Sequence, residues 1–140
     1  MIHWSSKIRL SSGKYKRAIF LSNKDKIHSF IPDFSINDFI DIKVSKGKRY
    51  QSNRIVFSNK KFIDCYYSDL FIVKDINNRY IFRKIYDVKD SDRFVYISKN
   101  MKMSLVNMVS FFSDTKKVRT VDVYSNSNGL IIINGFLKMI

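Results

Sequence analysis

Apolar and charged residues alternate along much of this chain, and this alternation constrains the fold more than any other feature. Residues 7–10 read Lys-Ile-Arg-Leu, and residues 40–45 read Ile-Asp-Ile-Lys-Val-Ser. A period of two residues places the apolar side chains on one face of a half-buried strand. Links that contain glycine or asparagine separate these stretches, as is typical of turns between antiparallel strands. The sequence therefore predicts a mainly β protein with eight to ten short strands.

The turn signals divide the chain into successive predicted strands. Residues 40–57, which are rich in lysine and arginine, are predicted to form a hairpin whose exposed tip is Lys46-Gly47-Lys48. A second predicted hairpin turns at residues 11–14, and a third turns at residues 125–129. The predicted strands are residues 3–10, 15–22, 40–45, 49–57, 61–67, 70–74, 79–88, 93–97, 118–124 and 130–137.

One amphipathic helix is predicted over residues 99–112, with Ser98 as its N-cap. Its apolar face is expected to consist of Met101, Leu105, Met108, Val109 and Phe112. A further helical turn is expected at residues 35–39, after the helix-disfavouring pair Ile31-Pro32. The predicted fold is a single domain over residues 1–140, a β-sandwich or barrel with one helix beside it.

Positive charge is concentrated in two segments that contain no carboxylate. Residues 1–24 and 42–63 carry 13 of the 26 basic side chains and none of the 12 acidic ones, in a chain of net charge +14. Such a one-sided distribution indicates an anionic partner. The predicted anion-binding residues are Lys14, Lys16, Arg17, Lys43, Lys46, Lys48, Arg49, Arg54, Lys60 and Lys61.

Catalytic chemistry has little support in the sequence. His3 and His28 are 25 residues apart, in no metal-ligand spacing. The single cysteine, Cys65, lies in a strand-like context typical of a small buried hydrophobe. The carboxylate pairs 90/92 and 38/41 are expected to serve turns and helix ends. We therefore expect no enzymatic activity, no metal site and no cofactor.

The sequence leaves the nature of the anionic partner open. Anionic lipid and nucleic acid both bind clustered cations through the same electrostatic attraction. Tyrosines interleaved with the cations would suit base stacking, but they are also simply favoured on strands. Trp4 could lie at a bilayer interface or pack on the sheet. An acidic protein surface is a third possible partner.

The small size, the basic charge, the β-rich pattern and the lack of catalytic residues resemble the small matrix proteins of nonsegmented negative-strand RNA viruses, of the bornavirus and nyamivirus kind. That resemblance implies a non-enzymatic virion protein that forms homo-oligomers, lies inside the cell at the inner face of the membrane, and contacts RNA or nucleoprotein. The alternative is a nucleic-acid-binding regulator without a membrane role.

Overall fold

The computed structural model describes residues 1–30, 36–125 and 129–140, and over these the protein is mainly β, as predicted. Two short 3₁₀ helices, Ala18–Phe20 and Ile85–Asp87, interrupt the strands. In chain order the strands are β1 (Ile2–His3), β2 (Lys7–Arg9), β3 (Tyr15–Arg17), β4 (Lys26–Phe30), β5 (Ile36–Asp41), β6 (Lys43–Phe57), β7 (Phe62–Cys65), β8 (Leu70–Lys74), β9 (Tyr80–Lys84), β10 (Arg93–Ile97), β11 (Met103–Tyr124), β12 (Leu130–Ile133) and β13 (Phe136–Met139).

These strands form one curled antiparallel sheet. Its main path runs in the order β3-β2-β12-β13-β8-β10-β11-β6-β7, with β1 added to β11, β4 to β12, β5 to β4 and β9 to β8. The two longest strands, β6 and β11, pair with each other from Lys43↔Tyr124 to Phe57↔Met108. Because β11 also pairs with β10, it connects β6 and β7 to the rest of the sheet.

Strand β12 and a group of buried phenylalanines contribute to the core. All four residues of β12 are buried, and its alternate side chains enter two different apolar clusters. Both faces of the strand formed by residues 130–133 are therefore buried. Phe57 stacks on Phe136 with ring centroids 4.3 Å apart and meets Phe94 edge-on at 4.9 Å. Fully burying such a side chain contributes about 1.5–3 kcal/mol.

The predicted hairpin at Lys46-Gly47-Lys48 is wrong. Residues 43–57 form the single strand β6, which runs through Gly47. Gly47 has a φ of 111°, and the register against β11 shifts between Arg119 and Val121. The glycine therefore marks a bulge in a long strand. A bulge requires the same positive φ that a turn would require at this glycine.

The predicted helix over residues 99–112 is also wrong. Residues 98–102 form the tight turn between β10 and β11, where the Ser98 amide donates to the Lys102 carbonyl and Met101 has a φ of 60°. Residues 103–124 then form β11. This segment is rich in valine, threonine and phenylalanine, which favour strands, and that preference overrides the helical spacing of its apolar residues.

Four smaller predictions need correction. Residues 36–39 belong to β5 rather than to a helical turn, and Ser35 lies outside the described residues. The strand predicted at 79–88 is β9 followed by a 3₁₀ helix. The strand predicted at 130–137 is two strands, β12 and β13, and the 118–124 stretch is the end of β11, which pairs with β6 and β1. The turn at 125–129 lies partly outside the described residues.

Gly135 should tolerate substitution far less well than Gly47. Gly135 has a φ of 91°, and a Cβ there would lie on the ring of Tyr96, whereas a Cβ on Gly47 meets nothing within 4 Å. We expect Gly135→Ala to lower the free energy of unfolding by about 2–4 kcal/mol and Gly47→Ala by about 1–2 kcal/mol. Urea unfolding of the two variants checks this, and equal losses would contradict it.

Candidate functional site where the chain ends meet

The first strand positions the start of the chain. Ile2 and His3 pair with Val121 and Thr120 of β11. This register places the Met1 amino group 3.6 Å from the Asp122 carboxylate. Lys48 Nζ lies 4.0 Å from the other oxygen of Asp122, on its exposed side. The first residue is thus fixed in position by β11.

The last strand brings a buried ion pair to the same place. Lys138 of β13 lies in register with Phe71 of β8, close to the residue that precedes that strand. Its ammonium is 3.4 Å from the Asp69 carboxylate, and the two side chains are only 7% and 5% exposed. Asp69 Oδ2 also accepts a hydrogen bond of 2.9 Å from the Tyr66 amide. Lys138 is therefore a buried cation held by a fixed carboxylate.

Electrostatics link this ion pair to the first residue. Burial lowers the pKa of the Met1 amino group, and the positive charge of Lys138 lowers it further. The charges of Asp69 and Asp122 act in the opposite direction. We call the two ion pairs, Met1 with Asp122 and Lys138 with Asp69, the chain-end cluster.

A second ion pair lies beside the first residues. Arg54 donates from Nε and Nη2 to the two oxygens of Asp64, at 2.9 and 3.0 Å. His3 Nδ1 is 4.0 Å from Asp64 and 2.7 Å from the hydroxyl of Ser5. Burial lowers the pKa of His3, and the charge of Asp64 only partly opposes this. His3 is therefore a neutral ring at neutral pH.

Two potential nucleophiles that feel the charges of Asp64 and Asp69, Cys65 and Tyr66, are not activated. Burial raises the pKa of the Cys65 thiol well above its usual value, and the charges of Asp69 and Asp64 raise it further. Burial likewise raises the pKa of Tyr66, whose hydroxyl has no hydrogen-bond partner in the described part of the chain. Only thiolates and phenolates attack readily, so both groups stay inert at neutral pH. The prediction that Cys65 is a small buried hydrophobe is confirmed.

The ten predicted anion-binding residues do not form one surface. Lys43, Lys46, Lys48 and Arg49 lie exposed along β6, and Lys14 lies exposed in the β2–β3 turn. Arg54 is occupied by Asp64, and Lys16 pairs with Asp25 at 3.1 Å. The remaining three, Arg17, Lys60 and Lys61, come together in one groove.

That groove has a volume of about 710 Å³ and carries five cations. Lys7 and Lys99 join the three predicted residues on its walls, and we call these five residues with the space between them the basic groove. Phe62, Tyr15, Tyr96 and Ile97 supply its apolar lining. Whether it binds an anion stays a prediction.

Two features, a metal-binding group of side chains and a membrane-spanning helix, are absent from the described part of the chain. Within residues 1–30, 36–125 and 129–140, no three His, Cys or Asp side chains are grouped so that they could hold a metal ion. Over the same residues, none of the helices has the length and apolar character needed to cross a membrane.

Comparison with solved structures identifies the architecture. A DnaB intein from Synechocystis sp. PCC 6803 superposes with a TM-score of 0.79 at 14% identity, covering 99% of this chain and 96% of that one. The PabCDC21-1 intein gives 0.79 at 10% identity, with 99% and 96% covered. The chain has the intein fold. A gp41-1 intein whose first residue, a cysteine, is replaced by alanine gives 0.69 at 12% identity, with 98% and 96% covered. No protein-family model and no curated protein sequence matches the chain.

The intein fold overturns the expected relationship to viral matrix proteins. The similar solved structures are protein-splicing domains, so the predicted matrix function and the alternative of a nucleic-acid-binding regulator are both wrong. The predicted partners are wrong as well. They were an anionic membrane, RNA or nucleoprotein, and further copies of the chain. The expectation of no enzymatic activity is at odds with the activity of inteins. The intracellular location and the single domain over residues 1–140 stay predictions.

Sequence reasoning missed the chain-end cluster. Asp69 and Asp122 look like ordinary strand-flanking carboxylates, and Lys138 reads as an interruption of an apolar tail. The one available signal is a charged residue inside an apolar stretch, because a charge that becomes buried requires a partner. Only the strand order could show that the partner is Asp69.

Breaking the buried pair should cost much more than breaking the exposed one. We expect Lys138→Met to lower the free energy of unfolding by about 3–5 kcal/mol, because Asp69 is left buried without its partner. Adding Asp69→Asn should recover part of that loss, since the amide keeps a hydrogen bond without a charge. The control Lys48→Met removes an exposed partner of Asp122 and should cost under about 1 kcal/mol. Chemical denaturation measures all three, and equal costs would contradict the assignment.

Acid should destabilise the protein through its two histidines. Burial lowers the pKa of His3 and of His28 below 6.5 in the folded state. Just below pH 6.5 the unfolded chain therefore binds more protons than the folded one, so the free energy of unfolding falls as the pH falls. His3→Asn should make this fall shallower. Urea titrations on both sides of pH 6.5 measure it, and a rise in stability on acidification would contradict the prediction.

Proposed function

We propose that this protein is an intein-fold domain that does not splice and that acts by binding an anionic ligand in the basic groove. The observation that carries the first half is that Cys65 and Tyr66 are kept neutral by burial, while the neighbouring carboxylates of Asp64 and Asp69 are already paired. The second half rests on the cations that the groove leaves without carboxylate partners. The chain-end cluster is then a structural element that holds the two ends of the fold together.

The potential nucleophiles beside Asp64 and Asp69 are poorly suited to attack a peptide bond. Covalent cleavage of a peptide needs a hydroxyl, a thiol or an amine that can attack the carbonyl carbon. Cys65 and Tyr66 are held neutral by burial.

The carboxylates of Asp64 and Asp69 are also already paired with other groups. A general base must be free to take a proton from the reacting group. Asp69 is bound by Lys138 and by the Tyr66 amide, and Asp64 is bound bidentately by Arg54. Each carboxylate therefore has a structural partner, so the cluster supports stability better than proton transfer.

The basic groove offers the better-supported activity. Each of its five cations is exposed, and none has a carboxylate within 4.0 Å among the described residues. Outside the groove, some exposed cations such as Arg79 have an acidic partner, whereas others such as Lys43 have none among the described residues. Like charges placed around one cavity repel unless an anion lies between them. Anion binding relieves that repulsion, which is the physical reason for proposing it.

A fusion experiment tests the absence of splicing. The chain is placed between two reporter proteins of different mass, and the gp41-1 intein in the same reporters serves as the positive control. We expect the fusion with this chain to stay at full length, without a ligated reporter product, while the control produces one. Mass spectrometry of the purified products measures this. A ligated product that joins the two reporters would overturn the proposal.

A further inference from the structure

We infer that the ligand of the basic groove is an acidic polypeptide segment in an extended conformation. This inference rests on the proposed function, because it identifies the class of anion that the groove takes. The groove combines five exposed cations with an apolar lining and an open shape.

The cations are distributed along the groove rather than focused on one point. Lys7 lies on β2, Arg17 on β3, Lys60 and Lys61 in the β6–β7 turn, and Lys99 in the β10–β11 turn. A compact anion such as a phosphate would be served by donors that converge on it. Cations supplied by four separate elements instead match a chain that carries several separate carboxylates.

The kind of cation also favours carboxylates on a polypeptide. Four of the five are lysines, whose ammonium is a flexible point charge, and only Arg17 has the planar fork suited to phosphate. Each lysine can reach for a separate glutamate or aspartate. Opposite charges across such an interface set specificity and the rate of association.

The aromatic residues of the groove are poorly placed for stacking bases. The Arg54 guanidinium lies 4.0 Å from the centroid of the Phe62 ring, and the Arg9 guanidinium lies 5.6 Å from that of Tyr15. Tyr96 packs on Phe136 with centroids 5.2 Å apart. Single-strand nucleic-acid binders instead present open ring faces to successive bases. The rings here serve as an apolar wall against which aliphatic parts of a peptide can lie.

One side of the groove is held rigid, so little order has to be gained on binding. Asn134 Oδ1 accepts a 2.8 Å hydrogen bond from the Lys7 amide, and the Asn134 amide donates to the Lys7 carbonyl at 2.9 Å. Asn134 Nδ2 reaches the Phe62 carbonyl at 3.5 Å. These bonds tie together the strands that carry Lys7 and Phe62. A preformed site loses less affinity to ordering.

A binding experiment with matched charge changes tests the inference. The probe is a fluorescein-labelled peptide of alternating glutamate and alanine, about ten residues long, which spans about 33 Å when extended. Its binding to the full chain is followed by fluorescence anisotropy at several salt concentrations. We expect saturable binding that weakens as salt is added, because the contacts are exposed charges.

Two triple variants separate the groove from the overall charge. The groove variant carries Lys60→Gln, Lys61→Gln and Lys99→Gln, and the control carries Lys89→Gln, Lys116→Gln and Lys117→Gln at exposed positions away from the groove. Both lose three positive charges. We expect the groove variant to bind the peptide at least about tenfold more weakly, with the control within about twofold of the parent. Equal melting temperatures establish that the groove variant is folded.

Three outcomes would overturn the inference, and a fourth would overturn only the proposed lack of splicing. Absence of saturable binding or equal weakening in both variants would remove the groove as a site. Displacement of the peptide by inorganic triphosphate or by single-stranded DNA at concentrations far below those of unlabelled peptide would replace an acidic polypeptide with a different anion. A chain that ligates the reporters and still binds the peptide would overturn the proposed lack of splicing and leave the groove assignment standing.

Discussion

The pairing of β6 with β11 is the interaction on which the rest of the structure depends. β11 carries β1 on one part of its length and β10 on another, while β6 carries β7. Met1, Asp122 and the Arg54–Asp64 pair are therefore all positioned by this ladder. The two strands follow the curl of the sheet because three register shifts interrupt their pairing. Bulges increase local twist and bend a strand without ending it.

The β character of the chain follows from its sequence, while the course of the two longest strands does not. Alternation places Ile55 and Phe57 on the core face, where the structure has them. Gly47 and Met101 show the limit of such reasoning. The sequence pattern predicts a turn at Gly47, but the same positive φ serves a bulge. The turn that the structure does have, at Met101, uses a residue that rarely adopts a positive φ. The Asn134-Gly135 pair is a strong hairpin signal that could have divided the strand predicted at 130–137.

The site was less accessible to sequence reasoning than the fold, for a physical reason. Counting charges detects an excess of cations, and Arg17, Lys60 and Lys61 do share a groove. Counting cannot tell which cations are already neutralised, as Arg54 and Lys16 are. Nor can it pair Lys138 with Asp69, since residues 69 positions apart meet only through the order of the strands. The intein fold shows the same separation between scaffold and chemistry, because similar backbones can carry different residues at the reacting positions.

The basic half of β6 has a consequence that concerns self-association. From Lys46 to Gln51 this strand pairs with β11, and no other described strand lies along its second edge. An open edge presents unpaired backbone groups that can recruit a strand from a neighbouring molecule. Lys46, Lys48 and Arg49 place like charges on that edge, so two copies approaching edge to edge would repel each other. These three cations therefore oppose edge-to-edge association of two copies, and this effect needs no ligand.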